Sequence, residues 1–452
     1  MIDLIIQNGT LVIPECGLVE SAVAIDRGKI VGIGDSTCLP RAARIIDARG
    51  KYVIPGVIDP HVHLGTNPEQ FSSLAVTESR AAVIGGVTTV GCYLRDKGSY
   101  LSSYSDYMDT IRNGVYTNMC FHVQISTEEH LSELKEYAEK IGSNTFKFYM
   151  CGNAGIVESA SDGFIYAGFK KVASLGPNAL ATVHAENESV IDRCIEEAKA
   201  QKEDGGLVDW YLTRPSFAEA EAVVRAAQLA KAANVRLYCV HMTSEAAMRC
   251  LKELKKKNRN LYAEATSAHL GLDAADPIGL MAKMIPPIRS KEDKEALWQG
   301  VREDIVDTFG TDNVTRSLAD KQLEKGLWGS KTGYAVLGTH LPVLLDEGYH
   351  KHGLPLKQII RKATMAPAKI FGMYPRKGTI QVGSDADLVI IDLDMVKKVD
   401  PALIGSCSDF SIFQGKELKG WPIMTIVNGE VIAEDGHLVH TKGNGRFIPR
   451  HA

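Results

Sequence analysis

Two histidines one residue apart, His61-Val62-His63, begin a set of side chains able to hold a metal ion. On an extended strand, side chains two apart face the same way, so both imidazoles can meet one ion. Further along, His184, His241 and Asp312 each stand at or just past the end of an apolar, β-branched run. Lys147 sits inside such a run, in Asn144-Thr145-Phe146-Lys147-Phe148-Tyr149-Met150. A lone ammonium there costs roughly several kcal/mol unless it is paired, deprotonated or chemically altered. As a neutral amine it can add carbon dioxide and become a carbamate, whose two oxygens could bridge two cations that repay burial of the charge. The ligand count suits two ions: His61, His63, Asp312 and one carbamate oxygen for the first, and His184, His241 and the other oxygen for the second. A bridging water would fill both shells, its pKa falling towards neutrality.

Each signal is weak alone. With 13 histidines in 452 residues, a His-x-His pair arises by chance roughly 0.4 times per chain. A strand-end histidine such as His184 or His241 is more often a core or interface residue than a ligand. Asp312, in Gly310-Thr311-Asp312-Asn313, reads equally as a turn residue or a helix cap. The metal reading rests on their convergence at the ends of separate strands.

Such convergence needs a particular architecture. Apolar runs recur at Val57–Pro60, Thr88–Leu94, Met119–Ile125, Thr145–Met150, Ala179–His184, Val235–His241, Leu261–Ala265 and Ile305–Gly310, with helical stretches such as Ser132–Ile141, Phe217–Ala233 and Ser244–Lys256 between them. Eight βα units close a barrel of parallel strands whose C-terminal ends share one mouth. Strands buried on both faces read as near-continuous apolar runs, as these do. Both ends of the chain instead carry short β-rich runs with glycine turns, two parts of one small sandwich. The expected fold is therefore α/β, a (β/α)8 TIM barrel over residues 55–372 with a β-sandwich built from residues 1–54 and 373–452.

At 45% hydrophobic and 23% charged residues, the composition is that of a soluble globular protein. A net charge of −4 without a basic stripe gives no reason to expect nucleic acid or an anionic membrane as partner. There is no apolar stretch long enough to span a bilayer. The opening MIDLIIQNGTLVI reads as a first strand, not a signal peptide. The nine cysteines are scattered and odd in number, as expected of reduced thiols in a cytoplasmic protein.

The stretches DLIIQNGTLV, GKYVIPGVIDPHVH, GGVTT, VHAEN, RPSFAEAEAVVR, VHMTSE, PPIRSKEDKEALW, DTFGTD and APAKIFGMYPRKGTIQVGSDADLVIID resemble the amidohydrolase superfamily, within it the hydantoinase–dihydropyrimidinase–allantoinase group. The resemblance runs nearly the full chain. It implies a pair of divalent ions, zinc by expectation, bridged by N6-carboxylated Lys147, and a homotetramer or dimer. It also implies that a metal-bridging hydroxide attacks a ring amide carbonyl while Asp312, the only carboxylate expected in the inner site, shuttles the proton to the leaving nitrogen. The product would be an N-carbamoyl amino acid from a hydantoin or dihydropyrimidine ring. The alternatives are an allantoinase-like ureide-ring hydrolase and a non-enzymatic scaffold of the collapsin-response-mediator kind. The scaffold reading is disfavoured because all six ligand positions are filled.

Several departures bear on the substrate. Dihydroorotases usually carry an arginine two residues after the His-x-His pair, where this chain has Leu64-Gly65. In hydantoinases and dihydropyrimidinases a tyrosine a few residues beyond the lysine often contacts the intermediate; here only Tyr149, two residues on, stands near Lys147 in the sequence. The family's substrate-contacting serine and asparagine correspond here to Ile285 and Thr332, whose roles would be largely backbone contacts. Many relatives have Asp-His where this chain reads Asp312-Asn313-Val314-Thr315-Arg316. Arg95, after the second run, is a candidate substrate-binding residue for an anion, as is Arg316. A surface or salt-bridged arginine is the simpler reading of both.

Overall fold

The structure is a computed structural model that describes residues 1–153 and 157–452. The N-terminal strands are β1 (Ile2–Gln7), β2 (Thr10–Ile13), β3 (Gly17–Glu20), β4 (Ala22–Asp26), β5 (Lys29–Gly34), β6 (Ala42–Asp47) and β7 (Tyr52–Pro55). Next come β8 (Val57–His63), β9 (Val87–Leu94), β10 (Asn118–Gln124), β11 (Thr145–Tyr149), β12 (Leu180–His184) and β13 (Arg236–Cys239). They are followed by β14 (Leu261–Thr266), β15 (Thr308–Gly310) and β16 (Asn313–Val314). The C-terminal strands are β17 (Leu388–Lys398), β18 (Glu417–Val427), β19 (Glu430–Glu434) and β20 (His437–Leu438).

One sheet has the order β5-β4-β1-β6; a second, β20-β19-β18-β17-β7-β2-β3, interleaves strands from both ends of the chain. Leu4, Ile6, Val23 and Ile25 of the first share a core with Leu11, Val53, Leu388, Ile390 and Ile426 of the second. This is the small sandwich. The turns joining β4 to β5 and β18 to β19 are Arg27-Gly28 and Asn428-Gly429, all four residues at positive φ, the backbone that tight two-residue hairpins require. A Cβ on Gly28 would stand 2.8 Å from the carbonyl of Asn428, so the two hairpin tips approach only because that side chain is missing.

Strands β8 to β15 pair in sequence, each parallel to the next. β8 and β9 are buried along their whole length, as strands covered on both faces must be. The eighth barrel strand comes in two pieces: β15 bonds to β14, and its continuation β16 bonds to β8, which closes the ring. Asp59 stitches that junction. Its carboxylate accepts from Thr311 N (3.1 Å), Thr311 Oγ1 (2.6 Å) and His61 N (3.1 Å). Burial pushes its pKa up to about 8 against those hydrogen bonds.

The helices expected over Phe217–Ala233 and Ser244–Lys256 span Ser216–Ala233 and Glu245–Lys255. The first ends on Asn234 in the left-handed region, and the second starts from a Ser244 cap that accepts from Ala247 N. The helix expected over Ser132–Ile141 is three shorter pieces, Glu128–Ser132, Leu134–Glu136 and a wide final turn, Tyr137–Ile141. Among the described residues, no helix is long and apolar enough to cross a membrane.

Candidate metal centre

All six candidate ligands lie at the C-terminal mouth of the barrel. His61 and His63 belong to the end of β8, Lys147 to β11 and His184 to the end of β12. His241 lies two residues beyond β13, and Asp312 in the gap between β15 and β16. His241 and Asp312 hold φ of 40° and 52°, a region costly for residues with a Cβ and concentrated at functional sites.

Three donors form a near-equilateral triangle. His61 Nε2 is 3.2 Å from His63 Nε2, and Asp312 Oδ1 is 3.2 and 3.1 Å from those two atoms. Ligands at 2.0–2.1 Å around a tetrahedral ion stand roughly 3.3–3.4 Å apart, so the triangle has the size of one face of such a shell. The protonation pattern points the same way. His61 Nδ1 is 2.8 Å from Oε1 of Glu264, an acceptor that also takes the His241 N–H at 3.0 Å. With Nδ1 turned to that carboxylate, His61 presents Nε2 to Asp312 Oδ1 at 3.2 Å, an arrangement that a divalent ion between the two atoms would fit. Burial opposes ionisation of Asp312, yet the His61 and His63 imidazoles and Arg95 hold its carboxyl below the usual carboxylate range.

The second pair is oriented in the same manner. His184 Nδ1 lies 2.9 Å from His241 Nε2, while His184 Nε2 faces Glu186 Oε2 at 2.9 Å. Burial would raise the Glu186 pKa, but Arg214, 2.6 Å away, holds it at about 2. An ionised carboxylate behind a ligating imidazole fixes the tautomer that leaves the inner nitrogen free for metal. Cys151, His184 and Glu186 also cluster within 4.8 Å. That trio is a poorer metal site, because burial pushes the Cys151 thiol up to about 12 and Glu186 is committed to Arg214.

Lys147 completes the floor. It is fully buried, and its Nζ has no hydrogen-bond partner among the described residues. The nitrogen lies 5.2 and 5.0 Å from the ring centres of Tyr93 and Tyr149. Burial pulls its pKa down to about 7, despite the pull of Asp312 and Glu264 in the other direction. The shift favours the neutral amine, the state that carboxylation requires. The donor set and this orphaned nitrogen fit the binding of divalent metal.

The match to the Amidohydrolase family covers residues 52–432. The chain belongs to the amidohydrolase family. It is 32% identical to an L-hydantoinase of Paenarthrobacter aurescens over 100% of this chain and 98% of the relative. It is 30% identical to a dihydroorotase of Geobacillus sp. (strain WCH70), over 96% of this chain and 99% of the relative. The solved L-hydantoinase (dihydropyrimidinase) from Arthrobacter aurescens superposes with a TM-score of 0.93 at 31% identity, with 100% of both chains covered.

In this amidohydrolase, Arg95, Ile285, Thr332 and Arg316 line the same cavity as His61, His63, His184, His241 and Asp312. Tyr149 also reaches that cavity: its ring stacks on His184 at 5.6 Å, and its hydroxyl accepts from Arg95. Asp312 is not the only carboxylate at the inner site. Glu264 and Glu186 stand directly behind the histidines, and Tyr238 holds Glu264 Oε2 at 2.7 Å. Glu264 had a visible signal, being a charge inside the apolar run Leu261–Ala265 just as Lys147 is inside its own.

Proposed function

We propose that this protein hydrolyses a cyclic amide ring of the hydantoin or dihydropyrimidine type to an N-carbamoyl amino acid. The observation that carries the reading is the triangle of possible metal donors, His61, His63 and Asp312, beside a buried lysine without a hydrogen-bond partner among the described residues. His61, His63, Asp312 and Lys147 would hold one divalent ion, and His184, His241 and Lys147 the other, with Lys147 as its N6-carboxylated form and zinc the first candidate. Such ions supply Lewis acidity towards an amide carbonyl and a water whose pKa is lowered to about 7.

The chain's own groups do the rest. Asp312 is ionised at neutral pH and can accept a proton from water as the water oxygen bonds to the carbonyl carbon. It then gives that proton to the ring nitrogen as the carbon–nitrogen bond breaks, so one water is consumed and no other reactant is needed. Glu264 and Glu186 keep His61 and His184 in the tautomers that face inward. Tyr149 and Arg95 shape the wall beside the reacting atoms.

Protein purified without chelator should contain about two equivalents of divalent metal and open at least one ring from a panel of hydantoins (both enantiomers), dihydrouracil, allantoin and dihydroorotate. Metal-free protein, or metal-loaded protein inert towards every ring, would defeat the proposal.

A further inference from the structure

We propose that Arg95 binds a carboxylate carried by the substrate, so that the preferred ring is a cyclic ureide bearing an acid group on the ring or on a short side chain. This rests on the hydrolase reading above and names its substrate class. Arg95 follows β9 directly, which puts its guanidinium on the cavity wall with His63 and Asp312. Its one hydrogen bond among the described residues runs from Nη2 to the Tyr149 hydroxyl at 3.3 Å, and its buried Nε has no partner. The adjacent Asp96, which could have neutralised it, is committed to Ser103 and Tyr107. The acid that lines the cavity with it is Asp312, whose Oδ1 faces the two histidines. The guanidinium fork is therefore open towards the space where a substrate would lie.

The same cavity holds a second guanidinium. Arg316 lines the same cavity, and its Nε donates to Thr332 O, a neutral acceptor, at 2.5 Å. Behind it, Lys283 donates to the carbonyls of Leu327 (2.5 Å) and Ser330 (2.6 Å), and Lys321 to those of Lys283 and Gly333 (both 3.1 Å); burial pulls their pKa values down to about 8 and about 7, so the fixed charge on this side is that of Arg316. Glu188, an acid of the outer vestibule, is occupied by Gly152 N (2.8 Å) and by Ser159. Glu158 and Asp192 lie further out in that vestibule. A neutral ring would leave Arg95 unsatisfied. A carboxylate would fill its fork with charge-assisted hydrogen bonds, in a site whose surroundings already favour an anion.

The test compares size-matched pairs, hydantoin-5-acetate with 5-isobutylhydantoin and dihydroorotate with 6-isopropyldihydrouracil. The zinc-loaded wild type, Arg95→Gln and Arg95→Lys would each be assayed. The wild type should favour the acidic member of at least one pair by roughly tenfold or more in kcat/KM. Arg95→Gln should cut that preference by roughly 10- to 100-fold, mainly through KM, and Arg95→Lys should restore part of it. Calorimetry of hydantoin-5-acetate on the zinc-loaded protein gives a readout independent of turnover. If neutral rings open and acidic ones gain nothing, or the preference survives in Arg95→Gln, the inference falls while the hydrolase reading stands. If no ring opens but hydantoin-5-acetate binds and loses affinity in Arg95→Gln, the hydrolase reading falls and the anion site stands. If binding too is indifferent to Arg95, both fall.

Discussion

Glu264 Oε1 and His61 Nδ1 lie 2.8 Å apart, and this one hydrogen bond decides which face of the imidazole looks into the barrel. The same oxygen takes the backbone N–H of His241, so one carboxylate sets a candidate ligand on each side of the centre. Glu264→Gln keeps the shape but removes the charge and allows the amide to flip. Affinity for zinc, measured by competition with a chromophoric chelator, should drop by about 10- to 100-fold. An unchanged affinity would reduce Glu264 to a packing residue.

Lys147 supplies the sharpest chemical test. Lys147→Ala should bind less metal and lose ring-opening activity, with partial rescue by added short carboxylic acids that stand in for the carbamate. Intact-mass analysis of the wild type under carbon dioxide should show an added carboxyl group at this side chain. Full activity in the alanine variant would exclude a bridging lysine.

The burial of Lys147 has a pH signature in metal-free protein. Its pKa falls from an ordinary 10.5 to about 7 on folding. Between those values the unfolded chain binds more protons than the folded one, so stability rises with pH across that window. Below about pH 7 the burial penalty is fully present. Metal-free Lys147→Met should therefore have a higher Tm than metal-free wild type at pH 6, and the gap should narrow as pH approaches 10. A gap that is constant with pH would mean that the ammonium finds solvent or a partner.

Asp312→Asn removes both a ligand charge and the proton acceptor. Turnover should fall by about three orders of magnitude or more, beyond the loss attributable to metal occupancy measured on the same sample. Near-normal turnover at full metal content would assign the proton transfer to another group.

Much of this site was legible in the amino-acid sequence for a physical reason. Parallel strands covered on both faces must be apolar, so a polar residue within or at the end of such a run stands out, as His61, His63, Lys147 and His184 do. Glu264 is the same kind of anomaly, but its role follows from His61 and His241 lying beside it, which sequence order does not show. The left-handed backbone at His241 and Asp312 leaves no composition signal, since neither is a glycine. The second half of the eighth barrel strand, Asn313-Val314, reads as loop because its pairing with β8 exists only once the ring has closed. Arg95 was visible as a residue after a strand; its lack of a partner depends on Asp96 being taken by Ser103 and Tyr107, which sequence order does not show.

The split strand ties two properties of the molecule into one. Thr311 is stitched to Asp59, and the next residue along the chain is Asp312. The seam of the cylinder and a candidate ligand are thus neighbouring links of one backbone. An ion gripping Asp312 together with His61 and His63 would act as a rivet across that seam, because the histidines belong to the strand on its far side. Stripping the metal would then loosen the cylinder itself. Heat that parts the seam would in turn disarm the site.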